Sequence, residues 1–202
     1  MLRPVCLRVL TPNRLLEREE CRSVLETVLR IYPEVGPKKY GNYEPLREVF
    51  DPDNVEEFLD HCADSVYWKG HKPRVTGSLS PSWSVLDRHA IVSVDVPSSS
   101  LQEGAVVDLL RALSSLVVPD FACLHLLGDA DISRGRGSRT IMRGGKENGV
   151  SRVFITGHEL EKNIPDLYWV TVFGDAYIRH FGRERLLSAP APVVEELPGG
   201  PI

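Results

Sequence analysis

Alternating and helical patterns of apolar residues divide the chain into short elements. Four segments read as strands: Val5–Leu10, Arg74–Ser80, His89–Val96 and Phe121–Leu127. The last of these is almost wholly apolar, which is typical of a strand covered on both faces. A first helix is predicted by the apolar stripe Leu16, Cys21, Val24, Leu25, Val28 and Ile31. Thr11 and Pro12 are its predicted N-cap and first helical residue.

Two capping boxes predict the starts of two further helices. Asp53 with Glu56 opens a short helix, whose apolar face is Val55, Phe58, Leu59 and Cys62. Ser100 with Glu103 opens a longer one, with Leu101, Ala105, Leu109 and Leu113 along one side. The glycine-rich stretch Gly128–Gly149 predicts a long loop. A strand at Arg152–Thr156 and a helical turn at His158–Asn163 are expected after it.

The aromatic stretch Ile164–Gly182 predicts a strand followed by a short helix. Leu167–Phe173 is apolar, aromatic and β-branched, Gly174 interrupts it, and Gly182 ends the helical spacing that follows. Aromatic residues at this density favour a core position, so the motif aromatics Trp169 and Phe173 are interpreted as structural. The proline- and glycine-rich residues 191–202 form a tail whose end is expected to be loose.

These elements predict an α+β protein. In the first 127 residues the order is strand, helix, extra helix, strand, strand, helix, strand. With the extra helix treated as an insertion, this is the order of a ferredoxin-like split βαβ unit. We therefore expect a mainly antiparallel sheet with helices packed on one face and a C-terminal strand-helix extension. Residues 1–190 are predicted to form a single domain, followed by the tail 191–202.

Composition narrows the class of protein. The chain has 202 residues, 42% of them hydrophobic and 26% charged, as in ordinary soluble globular proteins. A net charge of −4 disfavours nucleic acid and anionic membranes as partners. No apolar segment is long enough to span a membrane, and the N-terminus does not resemble a signal peptide. Four separated cysteines without a C-x-x-C pair favour a reducing compartment, so a cytoplasmic location is expected.

The catalytic and metal motifs in the chain are incomplete. His158 and Glu159 begin an H-E-x-x-H pattern, but Lys162 occupies the position of the second zinc ligand. Gly145 and Lys146 suggest a phosphate loop that lacks its first glycine and its magnesium-binding hydroxyl. His125 lies within an apolar strand and is interpreted as a satisfied core or edge histidine. We therefore predict no catalytic residue, no metal and no cofactor, and a protein that is not an enzyme.

Three segments could contact a partner. The loop Lys38–Pro45 contains Tyr40, Asn42 and Tyr43, residue types that suit protein recognition, although these tyrosines could equally cover the core. Between Glu44 and Asp64 the local net charge is −7, which could steer a cationic partner or could belong to a solvated helix face. The basic segment Arg134–Arg152 lacks aromatics for stacking on bases and is interpreted as a solvent loop.

Two motifs resemble a known family. The first is Tyr40–Pro45 followed by Phe50 and Asp51, and the second is the closing pattern that runs from Ile164 to Pro190. Together they are similar to the immunity 52 family of bacterial polymorphic-toxin systems, or to an allied type VI immunity family. The resemblance implies a cytoplasmic α+β protein that binds a cognate toxin and neutralises it by occluding its active site. The family motif does not itself assign a binding surface, so our hypothesis takes the partner-binding residues from the tyrosine loop and the acidic segment: Tyr40, Asn42, Tyr43, Glu44, Asp53, Glu56, Glu57 and Asp60.

Two alternatives of a different class stay open. A small enzyme could hold a phosphorylated substrate through the arginine-rich loop Arg134–Lys146, with His158 or His125 as general base. A homo-oligomeric scaffold, such as a homodimer, would bury a large apolar patch between identical chains. A pocket joining the loop to a histidine would favour the enzyme, and an exposed apolar patch would favour the scaffold.

Overall fold

The computed structural model describes residues 4–15, 17–70, 74–82, 89–133, 137–141, 147–153, 155, 160 and 163–202. Over 132–133, 137–141 and 147–153 it describes the backbone alone. The strands are β1 (Pro4–Thr11), β2 (Lys39–Gly41), β3 (Glu48–Val49), β4 (Val66–Lys69), β5 (Thr76–Ser80), β6 (Ala90–Pro97), β7 (Phe121–Leu126), β8 (Gly137–Ile141), β9 (Glu147–Val153) and β10 (Val170–Phe173). The helices are α1 (Arg18–Ile31), α2 (Glu56–Asp60), α3 (Glu103–Val117), α4 (Asp129–Ser133), α5 (Asp175–Phe181) and α6 (Arg183–Leu187). Two 3-10 turns lie at Pro33–Val35 and Ser98–Ser100.

Eight of the described strands form one antiparallel sheet in the order β10-β7-β1-β6-β5-β4-β2-β3, and β8 pairs with β9 as a separate hairpin. The α+β class with a mainly antiparallel sheet is therefore confirmed. The four strands on which the ferredoxin-like order was predicted are β1, β5, β6 and β7, and they lie side by side. Because β4, β2 and β3 extend the sheet at one end and β10 extends it at the other, the ferredoxin-like order stays a prediction.

Strand β1 lies in the middle of the sheet and is buried along its whole length. Val5, Leu7 and Val9 point to the face covered by α1 and α3, where they join the main core. The buried residues of α1 are Cys21, Val24, Leu25, Thr27 and Val28, so the predicted apolar stripe is the packed face of that helix. The two long helices thus share one face of the sheet and contact each other.

The opposite face of the sheet carries a second, smaller core. Leu10 and Phe121 pack there with Tyr177 of α5, and Phe181 packs against this cluster. Since side chains alternate along a strand, Leu10 faces away from Val9 and its helices. Helix α5 therefore packs against the face opposite to α1 and α3. Its predicted end at Gly182 is confirmed, and the glycine adopts a positive φ of 86° there.

The predicted helix caps are wrong in detail. Helix α1 begins at Arg18 and is capped by Glu17, because Thr11 belongs to β1 and donates its hydroxyl to Val117 O at 2.7 Å. The residues at the N-cap positions of α2 and α3 are Val55 and Gln102, and neither makes a side-chain capping bond. Asp53 and Ser100 are therefore not capping residues, although both predicted helices are present.

The predicted long loop Gly128–Gly149 is also wrong. This part of the chain contains α4, β8 and the start of β9, and β9 lies close to β1. Glycines are poor strand formers in isolation, and pairing within the hairpin overrides that preference. The predicted strand Arg152–Thr156 overlaps the end of β9, while Thr156, His158, Glu159 and Lys162 lie outside the described residues.

The C-terminal residues pack onto the domain, which corrects the prediction of a loose end. The backbones of Ile202 and Phe173 exchange two hydrogen bonds, of 2.7 and 3.0 Å, beside strand β10. Leu197 is buried in the main core, and Arg111 of α3 forms an ion pair with Glu195 at 2.6 Å. Strand β10 begins only at Val170, and Trp169 before it is 51% exposed, so its interpretation as a structural core aromatic is wrong.

Candidate functional site

A groove of about 230 Å³ lies on the face of the sheet opposite to α1 and α3. It follows from the register of four neighbouring strands, because residues opposite one another line up as rows across the sheet. One row is Leu10, Ile91 and Ser80; the next is Arg8, Ser93, Ser78 and Tyr67; the third contains Asp95, Thr76 and Lys69. The groove is therefore apolar at one end, hydroxyl-rich in the middle and charged at the other end.

Arg8 and Asp95 form a buried ion pair in the floor of the groove. Their side chains are 8% and 9% exposed, and Arg8 Nη2 lies 2.7 Å from Asp95 Oδ1. Arg8 Nη1 also donates to Leu7 O at 2.7 Å. Burial disfavours the charged guanidinium, but the carboxylate of Asp95 outweighs this effect, so the pKa of Arg8 is raised. Arg8 is therefore charged and held in one position.

The rim of the groove is formed by the loop that follows β2. Glu44 forms an ion pair with Lys69 of β4 at 2.6 Å, and Leu46 is buried beside them. Tyr67 of β4 lies partly exposed on the same side of the sheet. The predicted partner residue Glu44 is thus part of the groove rim.

The predicted tyrosine loop divides into buried and exposed parts. Tyr40 is 2% exposed and packs against Phe50, Phe58 and His61, so its predicted role on a partner-facing surface is wrong. The regular pairing of β2 with β4 turns its ring into the core. Tyr43, in contrast, is 80% exposed.

Asn42 holds the loop in place beneath Tyr43. Its side-chain amide donates to His61 O at 2.8 Å and to Ser65 O at 3.0 Å, and its carbonyl oxygen accepts a hydrogen bond from His61 Nδ1. These three bonds join the loop to the segment after α2. Asn42 is therefore a positioning residue, which differs from the predicted direct contact with a partner.

The acidic segment is partly neutralised by α1. Glu56 pairs with Arg18 at 2.8 Å and with Arg22 at 2.6 Å, and Asp60 also pairs with Arg18. Hydrogen bonds from Arg18 and then from Arg22 lower the pKa of Glu56. These two carboxylates attach α2 to α1. Asp53 and Glu57 are exposed, and neither forms an ion pair with the described residues.

The histidines of the described residues do not line the groove. His125 packs on Tyr168, with Nε2 3.3 Å from Asp131, yet both its ring nitrogens lack a hydrogen bond within the described chain. The interpretation of His125 as a satisfied histidine stays a prediction. The almost fully buried His89 forms a hydrogen bond with Asp120 at 2.8 Å. This bond joins the start of β6 to the start of β7. Among the described residues, no group of three or more acidic, histidine or cysteine side chains could hold a metal.

Sequence reasoning missed the groove. The signal was present as alternating hydroxyls in Thr76–Ser80 and as the polar residues Ser93 and Asp95 at alternate positions of Ala90–Pro97. Polar residues at every second position indicate one face of a strand that is not packed against helices. Without the register, that pattern does not distinguish a solvated face from a groove.

Comparison with known proteins adds no identification. No protein-family model matches the chain, and no curated protein matches its sequence. The resemblance to an immunity family accordingly stays a prediction made from motifs. Among the described residues, none of the helices combines the length and the apolar character needed to cross a membrane.

Proposed function

We propose that this protein binds a cognate toxin in the cytoplasm and neutralises it by covering the toxin's active site. The observation that supports this proposal is Tyr43, which is 80% exposed on a loop that is otherwise held firmly. Tyrosine supplies a large amphipathic contact surface at low entropic cost and is enriched among residues that dominate interface energies. Tyr43 is therefore the proposed anchor of the interface.

The loop is organised before any partner binds. Asn42 bonds the backbone on its inner side, Glu44 pairs with Lys69, and Leu46 is buried on the other side of Tyr43. Ordering a loop costs free energy on binding, and a loop ordered in advance avoids that cost. This arrangement supports tight binding through a small number of contacts.

Exposed carboxylates follow the anchor in the sequence and supply negative charge. Glu48 and Asp51 are exposed beside Tyr43 in the chain, with Asp53, Glu57 and Asp64 close behind. None of these five forms an ion pair with another described residue. Such negative charge would speed encounter with a cationic surface. The partner is therefore expected to present basic side chains around a pocket for a tyrosine ring.

The two alternatives receive less support. The loop Arg134–Lys146 of the enzyme hypothesis lies partly outside the described residues, as does His158, and its remaining side chains are not described. His125 is not a lining residue of the groove. For the scaffold hypothesis, the exposed apolar side chains Leu167 and Trp169 lie beside the edge strand β10. They form an alternative contact surface that the experiment below also tests.

The test measures binding to the toxin that we expect the neighbouring open reading frame to encode. Tyr43→Ala should weaken the affinity of the purified pair by about 30-fold or more, the loss typical of an interface anchor. Cells that produce the toxin should lose protection with this variant. Because the Tyr43 side chain is 80% exposed, thermal unfolding of the Tyr43→Ala variant should match that of the unmodified protein.

The matched control is Trp169→Ala, which removes an exposed aromatic beside β10, at the end of the sheet opposite to β3. It should leave toxin affinity unchanged. Full affinity and full protection with Tyr43→Ala would rule out the loop as the binding surface. Loss of affinity with Trp169→Ala alone would move the proposed interface to the β10 edge.

A further inference from the structure

The groove supports an inference that does not depend on the proposed partner surface. We propose that it binds a small, neutral, polyhydroxylated ligand, with a pyranose sugar as the chemical class. The evidence consists of hydroxyls that have no hydrogen-bond partner within the described residues, charges that cancel in pairs, and an apolar end, all on one face of the sheet.

Hydroxyl side chains occur in all three rows of the groove: Ser80 in the first, Ser78 and Ser93 in the middle, and Thr76 in the third. All are partly buried, and none of these hydroxyls has a hydrogen-bond partner within the described part of the chain. A hydroxyl offers one donor and two acceptor lone pairs, so it can bond a ligand hydroxyl in either direction. Ser78 and Ser93 are direct cross-strand partners, and Arg8 and Tyr67 continue their row on either side. The row is thus suited to a ligand with several adjacent hydroxyls.

The charges of the groove favour a neutral ligand. Arg8 is paired with Asp95 in the floor, and Lys69 is paired with Glu44 at the rim. A charged ligand would have to displace one of these partners or remain without a counter-charge, and both cost free energy. A neutral ligand can accept hydrogen bonds from the charged groups while both pairs persist.

The apolar end and the size of the groove limit the ligand further. Leu10, Ile91 and Ile155 form one end, and the ring of Tyr67 lies on the far strand. A pyranose presents C–H surface as well as hydroxyls, so it can use both parts of the lining. The volume of about 230 Å³ is smaller than the roughly 300–1,000 Å³ of pockets for drug-sized ligands. The groove therefore has room for a small ligand such as one sugar ring.

The test titrates methyl β-D-glucopyranoside and methyl β-D-galactopyranoside into the ¹⁵N-labelled full chain. At least one of them should give saturable amide shifts centred on β5 and β6, with a Kd of about 1 mM. The double variant Thr76→Val with Ser78→Ala removes two hydroxyls and should weaken binding about ten-fold or more. The matched control Ser98→Ala removes an exposed hydroxyl outside the groove and should leave Kd unchanged.

Two further measurements distinguish this proposal from the proposed function and from anion binding. Tyr43→Ala should leave sugar binding unchanged, because Tyr43 does not line the groove. The proposal is overturned if neither glycoside saturates the shifts below about 50 mM, or if inorganic phosphate binds the groove more tightly than both. Undiminished binding by the double variant would also overturn it. If the amide spectrum shows that the double variant is unfolded, Ser93→Ala replaces it, with an expected loss of about 2–10-fold.

Discussion

The guanidinium of Arg8 lies 2.7 Å from the carboxylate of Asp95, and the two residues are diagonal neighbours on β1 and β6. They stand far apart in the sequence, and the antiparallel register brings them together. The pair lies beneath the groove and has almost no contact with water. The ion pair therefore joins the central strands β1 and β6, and its two opposite charges cancel in the floor of the groove.

Asp95→Asn should destabilise the protein by about 3–5 kcal/mol, because it leaves the buried charge of Arg8 without a counter-charge. The double variant Arg8→Met with Asp95→Leu removes both charges, so its free energy of unfolding should fall by less than that of Asp95→Asn. Equilibrium unfolding in urea measures the free energy of unfolding of all three proteins. A larger loss in the double variant than in Asp95→Asn would contradict this account of the pair.

Gly174→Ala should destabilise the protein by about 1–3 kcal/mol. A Cβ at this position would overlap the carbonyl oxygen of Pro119, and backbone cannot move aside as the end of a side chain can. Gly104→Ala is the matched control, because a Cβ at Gly104 meets no atom within 4 Å and the residue lies in α3. It should raise stability by up to about 1 kcal/mol. Thermal unfolding compares the two, and equal midpoints would contradict the prediction.

Glu56→Gln should remove part of the acid sensitivity of the protein. Hydrogen bonds from Arg18 and Arg22 lower the pKa of Glu56 in the folded state below its ordinary value of about 4.3. The folded state therefore binds a proton at Glu56 more weakly than the unfolded state does. Ionised Glu56 stabilises the fold above a pH of about 4.3, and this stabilisation is lost as the pH falls through the lowered pKa. Urea midpoints at successive pH values between about 6 and 2 should fall less steeply in the variant.

Glu26→Gln is the matched control for that experiment. Glu26 is an exposed residue of α1, and it forms no ion pair with the described residues. The urea midpoints of Glu26→Gln should fall with decreasing pH as steeply as those of the unmodified protein. Identical profiles for Glu56→Gln and the unmodified protein would show that the arginine contacts do not stabilise the attachment of α2.

Deletion of residues 197–202 should lower the free energy of unfolding by about 3 kcal/mol or more. The deletion removes the buried side chains of Leu197 and Ile202, and burial of each stabilises the fold by roughly 1.5–3 kcal/mol. It also removes the backbone hydrogen bonds between Ile202 and Phe173. Val193→Ser, at an exposed apolar position of the same segment, should have little effect. Urea unfolding measures both, and an unchanged midpoint after the deletion would restore the expectation of a loose tail.

Much of the secondary structure could be predicted from the periodicity of apolar residues. The strands β1, β6 and β7 and the helices α1 and α3 lie close to their predicted positions, because each buries one or both of its faces in the protein interior. Local capping patterns failed at Asp53 and Ser100. A capping residue stabilises a helix end only by about 1 kcal/mol, so packing of the helix easily outweighs it.

The candidate site was predicted only in part. The sequence identified the loop around Tyr43, but its composition could not separate the buried Tyr40 from the exposed Tyr43. It also identified the acidic segment, without showing that Arg18 and Arg22 neutralise Glu56. The partners of these side chains come from α1, and no local pattern in the acidic segment encodes them.

The sequence by itself determined the α+β class and the principal strands and helices, since hydrophobic periodicity reflects which side of each element faces the core. Only the tertiary structure decided where the groove lies, which tyrosine is exposed, and that the C-terminal residues pack against β10 and α3. The physical reason is register: cross-strand pairing places Arg8 beside Asp95 and Ser78 beside Ser93. Such contacts join residues that are distant in the chain, and they are fixed when the whole sheet assembles.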